Sequence, residues 1–284
     1  MTPGVGLDPS WEVALQLATH RGLDWGTQFV FTYGPLGFLS QPLTMYGGLS
    51  ALAAVYAVAA LVGLAAAYLW AARRRGVPLI VAFAVAFVAS SLANLFDAVL
   101  PIVFIACAVA LGEQTSRRSH SVVVYGGGVV AAIEALVKLN SGLAIVAMIA
   151  ITVVALPGRR GANLARFAAT FVAAFAVLWF ATGQGVGNFD DYVRSSVDII
   201  GGYSAAMVAD GAAGWTIPVG VALVAATIAA CWLASRWLSH NARVGLMLIT
   251  AIVCFGGWKE ASSATRPAAI SSPSSSGCSP RGSP

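Results

Sequence analysis

The chain has 284 residues, of which 58% are hydrophobic and 10% are charged, and its formal net charge is +5. About a quarter of the residues of a soluble domain are charged, so this composition excludes an ordinary soluble globular protein. The basic residues stand in short stretches between apolar runs rather than in one patch, which argues against nucleic acid as a partner.

A polar segment rich in aromatic residues, residues 1–48, precedes the first apolar run. Asp8 followed by Pro9 is typical of a helix start, with Asp8 as the N-cap, and Gly22 is expected to end that helix. The carboxylate of Asp8 has a second interpretation. At the mouth of a lipid-facing cavity, it would accept a proton from a substrate hydroxyl. Residue chemistry alone leaves both interpretations open.

The predicted first helix, residues 9–21, is amphipathic. Trp11 and Leu15 lie on one face at helical spacing, whereas Gln16 lies off it. We expect this helix to lie flat at the outer membrane surface with its apolar face in the lipid. Trp11 and Trp25 are expected to sit at the level of the lipid headgroups.

Apolar runs of roughly membrane-spanning length follow along the chain. Several are short and rich in alanine, so neighbouring pairs can form partly embedded hairpins. They predict an all-α, polytopic membrane protein with about eight transmembrane helices in residues 49–258, an outer loop at 184–214 and an extracytoplasmic first loop. The predicted spans are 49–72, 77–96, 98–112, 121–138, 141–157, 165–183, 215–235 and 244–258.

The basic residues predict the orientation of the chain. They lie in alternate loops, which the positive-inside rule places in the cytoplasm. Residues 1–48, the loop 184–214 and the C-terminus then face outward, in the plasma (inner) membrane of a bacterium. The basic residues of these alternate loops are Arg73, Arg74, Arg75, Arg117, Arg118, Arg159, Arg160, Arg166, Arg236 and Arg243.

Two charged residues fall inside the fourth apolar run. Glu134 and Lys138 are four residues apart, so on a continuous helix they share one face and can pair. Three interpretations stay open: a structural ion pair with Lys138 snorkelling to the outer surface, a cation that holds a donor phosphate, and a proton relay in a transporter.

Two glycine-containing stretches have structural interpretations. In the outer loop, a second surface helix is predicted from Phe189 to about Ile200, ended by Gly201 and Gly202. It either covers the cavity or is simply solvated. Farther upstream, the three consecutive glycines at 126–128 predict close helix packing.

Both ends of the chain have unusual sequences. A loop on the outer face needs a preceding membrane span or signal peptide to cross the membrane, and the first six residues contain neither. A preceding helix is therefore expected to be missing from the chain. The tail 259–284 is rich in serine and proline and is expected to be disordered. Two explanations of this tail stay open: a frameshift after Glu260, and an ordinary flexible tail.

The N-terminal segment has a recognisable pattern: Asp8, Trp11, Gly22 and then "TYGPLGF" at residues 32–38. This pattern resembles the first extracytoplasmic loop of the C-type membrane glycosyltransferases, which use polyprenyl-phosphate sugars. In that family an acid opens the loop, a surface helix follows, and an aromatic-Pro-Leu turn leads to the next span. Many members carry paired acids, whereas here Asp8 precedes a proline and Glu12 comes one turn later.

The resemblance implies a function and a set of site residues. It implies transfer of a sugar from a lipid-linked donor to an acceptor on the outer face, with Asp8 as the catalytic residue. The substrate-binding candidates are Glu12, Arg21, Asp24, Tyr33 and Lys138, of which Lys138 and Arg21 are the cations for the leaving phosphate. Sequence spacing indicates neither a metal site nor a disulfide framework, because the four cysteines form no CxxC or Cys/His cluster.

Two alternatives remain beside the glycosyltransferase. A multi-spanning transporter or flippase of a lipid-linked or small substrate would use Glu134 and Lys138 within the membrane. The chain could also be a fragment that inserts into the membrane without activity.

Overall fold

The computed structural model describes residues 7–92, 98–113, 120–206 and 216–264. Over these residues the regular secondary structure is helical. Two isolated β-bridges are present, and neither is part of a β-strand. A 3-10 turn, Gly37–Ser40, precedes α2, and a π-helical turn, Val122–Gly126, leads into α5. The α-helices are α1 Leu7–His20, α2 Gly47–Arg74, α3 Leu79–Leu92, α4 Val99–Gly112, α5 Gly127–Val137, α6 Leu139–Ala155, α7 Arg160–Ala181, α8 Asn188–Ala206, α9 Thr216–Ala234 and α10 His240–Ala264.

The eight apolar runs of the sequence all correspond to helices, namely α2 to α7, α9 and α10. Of these, α2 and α7 are long and apolar enough to cross a bilayer, with mean hydropathies of 2.2 and 1.9. Only 17% of that stretch of α2 and 11% of that of α7 is buried, whereas the core helix of a soluble protein is mostly buried. Helices α4, α5 with its π turn, α6, α9 and α10 carry shorter apolar stretches of 10–17 residues.

The two amphipathic helices differ from the sequence prediction at their ends. Helix α1 begins at Leu7, so Asp8 lies in its first turn and is not its N-cap. Helix α8 continues through Gly201 and Gly202 to Ala206, so the predicted stop is wrong. Glycine costs a helix about 1 kcal/mol relative to alanine, which weakens a helix without ending it.

Helices α5 and α6 form a tight hairpin that is joined by a single residue, Lys138. Its backbone is extended, with φ −150° and ψ 107°. Across the hairpin, a Cβ added to Gly142 would lie 2.3 Å from the Cα of Ala135. The prediction that Glu134 and Lys138 share one helical face is therefore wrong, because α5 ends at Val137.

Glycines let α5 pack closely against its neighbours, as the sequence predicted. A Cβ on Gly127 would lie 2.8 Å from Cδ1 of Ile149 in α6, and one on Gly128 would lie 2.9 Å from Cβ of Thr170 in α7. The core around this contact is apolar and draws on α4, α6, α7 and α10 as well as the π turn. It includes Val103, Leu111, Val124, Ile145, Met148, Phe167 and Ile249.

The apolar face of α1 packs against other parts of the same chain. Leu15 is fully buried, next to Phe38 of the 3-10 turn. Gln16 is also fully buried, and its Nε2 donates hydrogen bonds to the carbonyl oxygens of Gln41 and Leu43, at 3.0 and 3.2 Å. The prediction of a lipid-facing apolar side on α1 is wrong, because the chain folds back over that side at residues 37–43.

Helix α2 leads from the N-terminal segment to a cluster of basic residues, which we call the basic end. There Arg74 at the end of α2 forms an ion pair with Glu113, with 2.7 Å between Nη1 and Oε1. The guanidinium of Arg75 lies 4.3 Å from the ring centre of Trp237, in the connection between α9 and α10. The ends of α2 and α4 and the α9–α10 connection therefore meet at the same end of the molecule.

Several predictions fall outside the described residues. These are the basic loop at Arg117 and Arg118, the end of the outer loop at 207–214, and the tail from residue 265 on. Helix α10 continues to Ala264, so it includes the first six residues of the predicted tail 259–284.

Candidate functional site

The N-terminal segment is bound to the tip of the α5–α6 hairpin through its backbone. The amide of Gly34 donates to the carbonyl of Val137 at 3.1 Å, and that of Leu36 donates to the carbonyl of Leu136 at 3.0 Å. The last carbonyls of a helix lack partners within the helix. The "YGPL" turn supplies them here, which allows α5 to end inside an apolar cluster.

Helix α8 binds the same hairpin tip and the N-terminal segment together. The Tyr192 hydroxyl donates to the carbonyl of Ala135 at 3.1 Å. Burial raises the pKa of Tyr192 well above its ordinary value, so the phenol stays protonated and remains a donor. Gly26 has φ +94°, and a Cβ there would lie 2.3 Å from the Tyr192 nitrogen, so only glycine fits this approach.

A second set of hydrogen bonds links the N-terminal segment to the chain before α8. The side chain of Gln184 accepts from the Trp25 amide at 2.8 Å and donates to the Leu23 carbonyl at 3.1 Å. Asn188 donates through Nδ2 to Oδ1 of Asp24 at 2.6 Å. The carboxylate of Asp24, a predicted substrate-binding group, thus has a structural partner in the first turn of α8.

Aromatic side chains form the centre of the assembled segment. Trp25 is buried, and its Nε1 donates to the Tyr33 carbonyl at 3.0 Å, so its ring packs within the protein. The Tyr33 ring stacks with those of Trp11 and Phe31, at centroid distances of 5.3 and 5.7 Å. Since Tyr33 is buried against these two rings, it offers a substrate little surface.

Tyr33 and Lys138, two of the predicted site residues, lie together. They form an isolated antiparallel β-bridge, and Nζ of Lys138 lies 5.8 Å from the centre of the Tyr33 ring. A cation at this distance from an aromatic face is attracted by the ring quadrupole. The ammonium group is therefore held at the break between α5 and α6, directly beside the N-terminal segment.

A buried carboxylate lies one turn before the break. Glu134 is only 3% exposed, and the hydroxyl of Tyr56 in α2 donates to its Oε1. Burying a carboxylate without such a donor is costly. Tyr56 was missed by sequence reasoning, and its signal was weak: it is a polar aromatic residue in the middle of an otherwise apolar run.

The two acids of α1 are one helical turn apart. Asp8 and Glu12 therefore share a face of the helix. The side chain of Asp8 lies outside the described residues, whereas Glu12 is half-buried. Trp11, beside Glu12, stacks on Tyr33, which brings the first turns of α1 to the Tyr33–Lys138 contact.

Arg21 lies at the opposite end of α1 from Asp8. The two residues are thirteen positions apart, which corresponds to about 20 Å along a helix axis, and Arg21 is exposed. Its neighbour His20 stacks on Tyr46 at a centroid distance of 3.9 Å, which fixes that end of α1 near the start of α2. Of the two predicted phosphate-binding cations, the structure places Lys138 and not Arg21 near the aromatic cluster.

The remaining site features are few. The described residues contain no group of three or more His, Cys, Asp or Glu side chains that could hold a metal ion. Two open apolar grooves lie elsewhere, one along α9 near Trp232 and one between α2 and α3 near Tyr68. Neither groove is lined by the residues of the Tyr33–Lys138 contact.

No protein-family model, curated protein or solved structure matches the chain. What the arrangement can do therefore follows from its own chemistry. A held ammonium group can bind a phosphate, a half-buried indole can stack on a sugar, and carboxylates can accept a proton or hydroxyl hydrogen bonds. Lys138, Trp11 and the acids of α1 supply these three kinds of group.

Proposed function

We propose that the chain is a multi-spanning membrane glycosyltransferase, which moves a sugar from a polyprenyl-phosphate donor to an acceptor on the extracytoplasmic face of a bacterial plasma membrane. One observation carries this proposal. The acid-led, aromatic N-terminal segment is bound at the break between α5 and α6, so that Lys138 lies beside Tyr33 and the start of α1.

The membrane part of the proposal is supported by exposed apolar surface. Helices α2 and α7 expose large apolar side chains, among them Val55, Val62, Val172 and Val177. In water such a surface would be unfavourable by about 25 cal/mol per Å², whereas a bilayer covers it. The other apolar helices are shorter, and in this proposal they enter the membrane in part as hairpins such as α5–α6.

The orientation follows from the two ends of the molecule. Arg74 and Arg75 gather at the end of α2 away from the N-terminal segment. The positive-inside rule places that end in the cytoplasm and therefore the Tyr33–Lys138 contact on the outer side. A lipid-linked sugar in the outer leaflet would present its phosphate at the depth of the Tyr33–Lys138 contact.

Each group then has a role in transfer. The ammonium of Lys138 binds the phosphate, and Tyr33 holds that ammonium in place. The acceptor hydroxyl oxygen attacks the anomeric carbon as the bond from that carbon to the phosphate oxygen breaks, and polyprenyl phosphate leaves. Asp8 takes the hydroxyl proton, while Glu12 and Trp11 orient the acceptor and the sugar.

Binding of a lipid-linked sugar tests this proposal. Protein in nanodiscs would be titrated with a fluorescent polyprenyl phosphate that carries a hexose. Lys138→Gln should weaken binding about tenfold or more, because a hydrogen bond to a charged group is worth about 1.5–3 kcal/mol. Arg194→Gln is the matched control, since Arg194 is an exposed cation on α8 paired with Asp190 at 2.8 Å. Equal affinities for Lys138→Gln and the unchanged chain would contradict the proposal.

A transporter or flippase of a lipid-linked or small substrate remains the second candidate. The observation that favours it is the helix break at Lys138 next to the buried Glu134, because transporters often bind substrates at interrupted helices. Reconstituted vesicles separate the two. A transporter moves intact lipid-linked sugar between leaflets, whereas the proposed enzyme leaves polyprenyl phosphate and a glycosylated acceptor on one side.

A further inference from the structure

Helix α8 has an exposed apolar edge that the site itself does not use. Val186, just before the helix, is 76% exposed, and Phe189 and Val197 are 44% and 54% exposed. Phe189, Val193 and Val197 recur every four residues, so they follow one side of the helix. Asp190, Asp191, Arg194 and Asp198 are exposed on other sides.

This edge is continuous with the outward surface of α7. The Phe189 ring meets the rings of Phe175 and Trp179 edge-on, with both centroid distances at 5.7 Å. Beyond this contact α7 exposes Val177 and Phe180. Helix α7 is one of the two helices that are long and apolar enough to cross a bilayer. Since the two apolar surfaces are continuous, a bilayer that covers α7 would also reach the edge of α8.

The opposite side of α8 is fixed, so the helix cannot rotate to hide its edge. Tyr192 is buried and donates its hydroxyl to the Ala135 carbonyl, and Ser196 is fully buried one turn later. At its start, Asn188 bonds to Asp24. The exposed edge is therefore a permanent feature of the folded chain, and it is oriented by the same contacts that build the site.

We infer that α8 is an interfacial helix whose edge at Val186, Phe189 and Val197 lies among the lipid headgroups of the outer leaflet. This inference rests on the proposed membrane placement. Three acids and one arginine on the other sides of α8 give it no attraction to anionic lipids, so its partner is the apolar boundary of the bilayer rather than a charged headgroup. Through Tyr192, α8 then sets the depth of the hairpin tip, and with it that of Lys138, at the level of a lipid phosphate.

Spin labels on adjacent residues of α8 test the inference. Val197→Cys and Asp198→Cys would be made singly in a chain whose native cysteines are serine, labelled with a nitroxide and reconstituted in phosphatidylcholine vesicles. Val172→Cys on α7 is the control for insertion, because Val172 is exposed on a predicted span. Collision with oxygen, which concentrates in lipid, is compared with collision with a water-soluble nickel chelate.

The inference predicts more oxygen and less nickel collision at Val197→Cys than at Asp198→Cys, with Val172→Cys the most lipid-like. Adding phosphatidylglycerol should leave this order unchanged. Equal nickel access at positions 197 and 198, with a lipid-like label at position 172, would overturn the inference and leave the membrane placement intact. Low collision with both agents at position 197 would show a protein partner instead and overturn it. A water-exposed label at position 172 would overturn both proposals.

Discussion

At the residue scale, the most informative position is Lys138. Its extended backbone is a conformation that any L-residue adopts, so the one-residue connection between α5 and α6 does not require lysine. A long cation in an apolar cluster is costly unless it is stabilised, here in part by the ring of Tyr33. Under the proposed function, the same ammonium group also binds the phosphate of the donor.

The first residue-scale prediction concerns Asp8. Asp8→Asn should lower the initial rate of sugar transfer from a polyprenyl-phosphate donor by about 10²–10⁴-fold, because asparagine cannot take the proton of the acceptor. Asp190→Asn on α8 is the control and should leave the rate unchanged. Transfer by Asp8→Asn as fast as by the unchanged chain would remove Asp8 from the reaction, and no transfer by the unchanged chain would contradict the enzyme itself.

The second residue-scale prediction concerns Gly34. A Cβ there would lie 2.4 Å from the Leu136 carbonyl oxygen and 2.6 Å from the Tyr192 hydroxyl, at the point where three parts of the chain meet. Gly34→Ala should therefore destabilise the folded chain by about 1–3 kcal/mol. Gly47→Ala is the control, since no atom lies within 4 Å of a Cβ at that position. Thermal unfolding in detergent would measure the Tm of both variants. An unchanged Tm for Gly34→Ala would contradict the close approach of the Gly34 backbone to Leu136 and Tyr192.

At the scale of elements, the sequence predicted where helices lie better than how they meet. Hydropathy located all eight apolar helices because each run is apolar over the length of a helix. The end of α5 was missed because Glu134 and Lys138 keep helical spacing across it, and only the distant "YGPL" turn supplies partners for its carbonyls. The burial of Gln16 was missed for the same reason, since its partners are twenty-five or more residues away.

Gln16 supplies a prediction about how α1 is attached. Gln16→Ala should detach α1 about as strongly as Leu15→Ala, because it removes both hydrogen bonds that tie the helix to the carbonyls of Gln41 and Leu43, each worth about 0.5–1.5 kcal/mol. Gln28→Ala is the matched control, since that exposed side chain accepts a bond from the Asp24 amide, four residues away, and forms no hydrogen bond with α1 in the described part of the chain.

Tryptic cleavage after Arg21 would report this detachment. Faster cleavage is expected for Gln16→Ala and Leu15→Ala than for Gln28→Ala. A rate for Gln16→Ala equal to that of Gln28→Ala would show that the two hydrogen bonds do not hold α1, and that its attachment depends on the apolar face alone.

At the scale of the whole molecule, the chain has two chemically different ends. The N-terminal segment, the hairpin tip and the start of α8 form one end, rich in aromatic rings and hydrogen bonds. The other end gathers Arg74, Arg75 and their partners Glu113 and Trp237. The sequence predicted this division from the alternation of charged loops. The contacts between the N-terminal segment, the hairpin tip and α8 could not be predicted, because they join parts of the chain that are far apart in sequence.

Labelling from one side of the membrane tests most directly whether this chain crosses the bilayer and presents Lys138 on the outer face. Thr27→Cys and Ser239→Cys would be made singly without the native cysteines. Both positions are exposed, the first in the N-terminal segment and the second between α9 and α10 at the basic end. In intact cells an impermeant thiol reagent should label Thr27→Cys alone, and both variants after permeabilisation. Labelling of Ser239→Cys but not Thr27→Cys in intact cells, or of both, would contradict the outer-face site.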